Sequence, residues 1–253
     1  MSRVAARPAM PGLRGSPSSQ LGRRRFPQAA LVGRAVILPC GACEAHGPHL
    51  PLDTDVRIAM AMAERAAARC GAYVLPAVSY GVTRFARSFP GTLSIPSEVM
   101  TALVAEILIS SHLAGASGLA IANAHLEPAN INALFEACEM VKEQTGVTVA
   151  FPNVSSRRHS ERIGRAGAPL DGHSGIYETS LMLAISPQLV VGHRKLPFVV
   201  AGLADGIANG ATSFEEAGGP RAYFGTPSAA TEEQGEAFLD VLTDILLESM
   251  GVK

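Results

Sequence analysis

The run Glu44-Ala45-His46-Gly47-Pro48-His49-Leu50-Pro51-Leu52-Asp53-Thr54-Asp55 gathers carboxylates and imidazoles at a spacing that suits a divalent metal. A second group stands at Asn123-Ala124-His125-Leu126-Glu127-Pro128. Alternate side chains of an extended segment point the same way, so Glu44 with His46, and His125 with Glu127, can each offer two ligands to one cavity. Mixed imidazole and carboxylate ligands suit zinc or manganese, with iron a further option, rather than a thiolate structural site. An aspartate such as Asp55 can bridge two ions held roughly 3.5–4 Å apart, and a water held between them loses a proton near neutral pH and becomes a nucleophile. One Glu-x-His or His-x-Glu pair is a common accident of sequence. Two pairs at two strand ends, with Asp55, carry the signal together.

A third cluster is Asp171-Gly172-His173-Ser174-Gly175-Ile176-Tyr177-Glu178-Thr179-Ser180. Glycines around His173 let the backbone turn tightly and approach a ligand. His173 is a candidate general acid and base, because an imidazole titrates near neutrality. Glu178 opens a helix: it can ligate a metal or orient a water, or simply be a first-turn acid favoured by the helix dipole. The segment alone supports both readings of Glu178 equally. Cys40-Gly41-Ala42-Cys43 matches a redox C-x-x-C, but such pairs normally open a helix. Here Pro39 precedes it and a loop follows, so the pattern argues against redox chemistry and leaves Cys43 as a neighbour of the metal site.

These clusters need elements to hold them. Ala35-Val36-Ile37-Leu38-Pro39 is a continuous apolar run, as expected of a strand buried on both faces. Tyr73–Pro76, Gly118–Asn123 and Val147–Phe151 read as further strands. Apolar positions at helical spacing predict helices over Asp55–Cys70, Pro128–Thr145, Ile176–Ile185 and Thr231–Met250, with Gly71 and Gly146 as stops. Another helix runs over Ser97–Leu113 with Ser97 as its N-cap. Residues 202–227, rich in Gly and Ala, read as extended loops near the site or an interface. Strands alternating with helices imply βαβ units and a mainly parallel sheet covered on both faces. Ligands bind beyond the carboxyl ends of such strands, so Glu44, His46, His125 and Glu127 should open onto one edge, with Asp55 pointing back toward it.

The three clusters together resemble the creatininase family of metal-dependent amidohydrolases. Gly41 to Asp55 reproduces its Gly-x-x-Glu-x-His-Gly-Pro-His-Leu-Pro-x-x-Thr-Asp pattern. Phe89-Pro90-Gly91-Thr92, His125, Asp171 to Ser180, and Phe224-Gly225-Thr226-Pro227 are similar to its later segments. The resemblance implies a three-layer α/β/α sandwich, two divalent metals per subunit, and a homohexamer built as a trimer of dimers. By position it implies Glu44, Asp55 and His125 on one metal, and His46, Asp55 and Glu127 on the other. It makes His173 the proton shuttle, with Glu178 beside it as a catalytic residue or as the substitute ligand for Glu127. Ser88, Leu126, Asp171 and Gly172 fall where substrate would be bound. Family members that hydrolyse creatinine surround that ring with tryptophans. This chain has none, which argues for intact chemistry on another substrate.

The leading expectation is therefore hydrolysis of a C–N bond in an amide, lactam or formamide of a small polar molecule by a metal-bound hydroxide. Alternatives are trimming of a cofactor-precursor peptide, hydrolysis of a lactone or cyclic ketone, or a non-catalytic metal-binding protein. With 253 residues, 47% hydrophobic and 17% charged, the chain suits one domain over residues 31–253 behind an Arg- and Pro-rich tail, residues 1–30. A net charge of −1 argues against nucleic acid and anionic membrane as partners. Four cysteines do not make a disulfide scaffold, which points to a reducing, cytoplasmic setting.

Overall fold

The computed structural model describes residues 31–167, 172–200 and 202–252. The expected tail, residues 1–30, and the expected substrate contact Asp171 lie outside the described residues. Four parallel strands form the sheet: β1 (Ala35–Cys40), β2 (Tyr73–Val74), β3 (Gly118–Asn123) and β4 (Val149–Ala150), in the order β2-β1-β3-β4. The two central strands pair in register from Ala35 with Gly118 to Cys40 with Asn123.

Side-chain alternation divides the core into two layers. Ile37, Val74, Ala120 and Ala122 pack toward α1 (Thr54–Cys70) and, from the end of the chain, two helices over Ile176–Ile185 and Glu232–Ser249. Val36, Leu38, Cys40, Leu119 and Ile121 pack on the other face, against α2 (Ser97–Leu113) and α3 (Pro128–Thr145). Each fully buried Leu or Ile contributes about 1.5–3 kcal/mol, and covering both faces explains why the strands read as unbroken apolar runs. The fold is the expected three-layer α/β/α sandwich.

Gly71 and Gly146 end α1 and α3 in left-handed conformations (φ 73° and 74°), as their sequence positions imply. Ser97 is not the cap of α2. Pro96, in extended conformation, holds that position, and the Ser97 hydroxyl instead accepts a hydrogen bond from Arg84. The sequence also hides two helices. Helix α4 (Arg157–Ala166) is mostly polar and fully buries only Ile163; α6 (Leu203–Ala208) interrupts the stretch read as loops. Between them α5 (Ile176–Ile185) follows the His173 turn, and α7 (Glu232–Ser249) closes the chain, capped by Thr231 accepting from the Gln234 amide. Helix α7 lies against α5 so closely that a Cβ on Gly235 would fall 1.9 Å from the Ser180 carbonyl oxygen. Among the described residues no helix is long and apolar enough to cross a membrane.

Candidate metal centre

Because β1 and β3 end side by side at Cys40 and Asn123, the segments leaving them open at one edge of the sheet. The first carries Glu44 and His46, the second His125 and Glu127. Gly41 makes the closure possible. A Cβ there would sit 2.5 Å from the Val56 amide, so only a glycine lets the chain after β1 pass the first turn of α1, where Asp55 stands. The His173 turn and the first turn of α5 supply the remaining wall. Glu44, His46, Asp55, His125, His173 and Glu178 are all nearly or fully buried.

Three histidines are fixed from behind. His46 Nδ1 donates to the Glu44 carbonyl (3.0 Å), His125 Nε2 to the Val82 carbonyl (2.8 Å), and His173 Nε2 to the Ala45 carbonyl (2.8 Å). A ring nitrogen pinned to a backbone carbonyl sets the tautomer that turns the other lone pair toward a metal. Those forward nitrogens meet carboxylates. His46 Nε2 is 3.1 Å from Asp55 Oδ1 and 3.9 Å from Glu178 Oε2. His125 Nδ1 is 3.1 Å from Asp55 Oδ2 and 3.2 Å from Glu44 Oε1. His173 Nδ1 is 3.7 Å from Glu44 Oε1 and 3.9 Å from Glu178 Oε2.

Three triads result, each with ligand atoms within 4.8 Å of one another: Glu44–Asp55–His125, His46–Asp55–Glu178 and Glu44–His46–His173. Atoms that share an ion at about 2.0–2.2 Å lie at most about 4.4 Å apart, a range that includes the contacts of 3.1–3.9 Å above. Asp55 belongs to two triads through different oxygens, the disposition of a bridging carboxylate. Its Oδ2 is buried without a hydrogen bond, as is Glu127 Oε1. Buried carboxylates left in that state are costly unless a cation meets them.

Charge makes the same demand. Burial alone would lower the His46 pKa, but Asp55, through charge and a hydrogen bond, with Glu178 and Glu44 behind it, raises it to about 10. His125 is also raised, against its burial, by Glu44 and Asp55. Burial raises Glu178 to about 8 despite the pull of His46. His173 goes the other way: burial, then the charge of His46, lowers it to about 4. Without an ion the cage draws protons onto His46 and His125. A divalent cation supplies the same charge without them, so the donor set fits a metal.

Not every expected residue joins the cage. Glu127 stands beside it. Its Oε2 accepts from the Arg84 (2.6 Å) and Phe85 (3.3 Å) amides, and among the described residues Glu178, not Glu127, completes the second triad. Leu126 and Gly172 line the cleft as expected. Ser88 does not: it is exposed and donates to Glu215 Oε1 (2.6 Å). Cys43 is half-buried with its thiol 3.6 Å from the Gly91 carbonyl, and Cys40 is buried in the core.

Sequence spacing gave no sign of several partners. The buried Thr83 hydroxyl donates to Glu44 Oε2 in a short hydrogen bond. Phe214 stacks on His173 with ring centroids 4.4 Å apart. Phe85, Leu203, Ile207 and Phe214 form an apolar wall over a cleft of about 70 Å³. One bound water takes at least 10–15 Å³, so the cleft has room for several small groups.

A family model named Creatininase and described as creatinine amidohydrolase matches residues 20–250. The chain belongs to the creatininase family. It is a creatininase-family hydrolase, and its nearly full-length relatives include the mycofactocin precursor peptide peptidase of Mycobacterium ulcerans, 30% identical over 89% of this chain and 88% of that protein. The creatinine amidohydrolase of Pseudomonas putida is 31% identical over 61% of this chain and 65% of its own length. Among solved structures, a creatinine amidohydrolase (creatininase) superposes with TM-score 0.70 at 26% identity, covering 86% of this chain and 89% of that one. A creatininase structure described as its Mn form superposes with TM-score 0.69 at 26% identity, covering 87% and 91%.

Proposed function

We propose that this protein is a two-metal hydrolase of C–N bonds. The carrying observation is Asp55, whose two oxygens face two histidines that are each fixed from behind. Glu44, Asp55 and His125 would hold one ion, and His46, Asp55 and Glu178 the other. Zinc or manganese suits this donor set, with iron a further option. When bound, the ions supply Lewis acidity, which polarises a carbonyl and makes water nucleophilic near neutral pH.

The protein's own groups do the rest. His173, kept neutral by burial and then by the charge of His46, is stacked on Phe214 and presents an unprotonated Nδ1 at the cleft. That atom can take a proton from the attacking water and return it to the leaving nitrogen. Thr83 fixes Glu44, and Glu127 lines the cleft beside Leu126 with its Oε1 buried and without a hydrogen-bond partner. Phe85, Leu203, Ile207 and Phe214 keep bulk water away, which strengthens every charge inside.

The small volume of the cleft supports a small amide, lactam or formamide as substrate. A second reading, hydrolysis of a peptide bond, is favoured by the peptidases that match this chain over nearly their whole length. Lactone or cyclic-ketone hydrolysis remains an outcome of the same test. A homohexamer and a cytoplasmic setting belong to this proposal too. The cysteines Cys40, Cys43, Cys70 and Cys138 are free, in keeping with reducing surroundings, and sedimentation would read the assembly.

The test is a panel of creatinine, other lactams, formamides, lactones, cyclic ketones and short peptides, offered to the Mn2+-loaded full chain. Turnover of a C–N substrate that disappears in Glu44→Ala and His125→Ala is the expected result. Turnover surviving both substitutions overturns the proposal. Tight metal binding with no turnover anywhere on the panel supports the non-catalytic alternative.

A further inference from the structure

His49 follows His46 in the β1–α1 loop and reaches the residue next to Glu178, yet belongs to neither ion site in the assignment above. It is buried, and its Nε2 lies 2.9 Å from Thr179 Oγ1 in the first turn of α5. The Thr179 hydroxyl in turn donates to the Ser174 carbonyl (3.5 Å), so the ring is the donor in its own bond. Ser174 adopts a left-handed conformation (φ 55°), which costs a non-glycine residue about 1 kcal/mol or more. That conformation has a consequence: the Ser174 amide donates to Glu178 Oε2 at 2.5 Å, aiming the carboxylate at His46.

His49 is itself held. The Val191 amide donates to its carbonyl (2.9 Å), and its ring meets Tyr223 edge-on at 6.0 Å. Tyr223 is anchored through its hydroxyl to the Pro197 carbonyl. A Cβ on Gly47 would fall 2.7 Å from His49 Nδ1, so the chain between His46 and His49 folds tightly onto this ring. The β1–α1 loop, which carries Glu44 and His46, is thereby buckled to the segment that carries His173 and Glu178.

We propose that His49 is a positioning residue: through Thr179 it holds the strained Ser174 turn, and so keeps Glu178 in register with His46 and Asp55 for metal binding. The proposal rests on the two-metal reading, and its test separates the two. Full-length protein stripped with chelator is titrated with Mn2+, and the affinity of each site is read against a competing chelator. His49→Ala and Thr179→Val should each weaken one site by about 10–100-fold, the usual effect of removing a ligand's supporting hydrogen bond. Thr179→Ser, which keeps the hydroxyl, should stay within about threefold of wild type, and the double variant should be no weaker than the weaker single.

Wild-type affinity in Thr179→Val, or losses that multiply in the double variant, overturns the buckle. Failure of the unsubstituted protein to bind Mn2+ overturns the metal reading beneath it instead. Should His49→Ala not fold, the nearly isosteric Thr179→Val and the conservative Thr179→Ser decide between themselves.

Discussion

His46 holds its Nε2 3.1 Å from Asp55 Oδ1, with both side chains sealed from solvent. The other nitrogen of the ring is taken by the Glu44 carbonyl, so the contact has two forms. It is a buried ion pair when the ring is protonated, or two ligand atoms around a cation when it is not.

The two forms differ in their dependence on pH. His46 is raised from 6.5 to about 10, and Glu178 from 4.5 to about 8. Both groups bind their protons more tightly in the folded chain. Their stabilisation is full below the unfolded values and fades as pH rises, the Glu178 share by about pH 8 and the His46 share by about pH 10. Asp55 and Glu44 are shifted down, so their stabilisation is complete above the unfolded carboxylate range and is lost only as pH falls into the acid. The metal-free protein should therefore melt at progressively lower temperature from pH 6.5 to about pH 9, and the gap to the Mn2+-loaded protein should widen. Calorimetry of both forms reads this directly; a gap that stays flat or narrows speaks against the account.

Glu178 and Glu127 compete for the last ligand position. Glu178 Oε2 is 3.9 Å from His46 Nε2, whereas Glu127 commits one oxygen to two backbone amides. Metal analysis should find Mn2+ reduced from about two ions per chain to about one in Glu178→Gln, and near two in Glu127→Gln. The reverse pattern would return the ligand role to Glu127.

Thr83 acts through Glu44. Thr83→Val keeps the shape and removes the hydroxyl that holds Oε2. Mn2+ affinity should fall by at least about 10-fold, while the metal-free protein remains folded. An unchanged binding isotherm would show that Glu44 needs no such support.

At the crossing of α5 and α7, Gly235 leaves no space for a side chain. Gly235→Ala must push α7 off the Ser180 carbonyl, at a cost of about 2–3 kcal/mol, which lowers the melting temperature by roughly 5–10 °C. Since α5 carries Glu178, metal affinity should fall with it. A melt within a degree of wild type would mean that the helices separate at little cost.

Much of this was legible in the sequence, for physical reasons. Ile176–Ile185 and Pro128–Thr145 are bounded as the apolar spacing and the Gly146 stop imply, because capping geometry is local. The convergence of Glu44, His46, Asp55 and His125 followed from strand ends in a parallel sheet. Helix α4 escaped because Ile163 is its one fully buried residue, and a single large apolar residue has no period. Helix α6 escaped within a Gly- and Ala-rich stretch, although its Leu203 and Ile207 wall the cleft. The choice between Glu178 and Glu127 depends on distances between segments far apart in the chain. So does the Thr83 bond to Glu44, and neither leaves a mark in local spacing.

The central claim is that two ions share Asp55. Chelator-stripped protein should be given Mn2+ in measured equivalents and its binding followed to saturation, with Asp55→Ala alongside. The account predicts saturation at about two ions per chain for the unsubstituted protein and loss of both high-affinity sites in the variant. Saturation at one ion, or tight binding of two ions by Asp55→Ala, would contradict it.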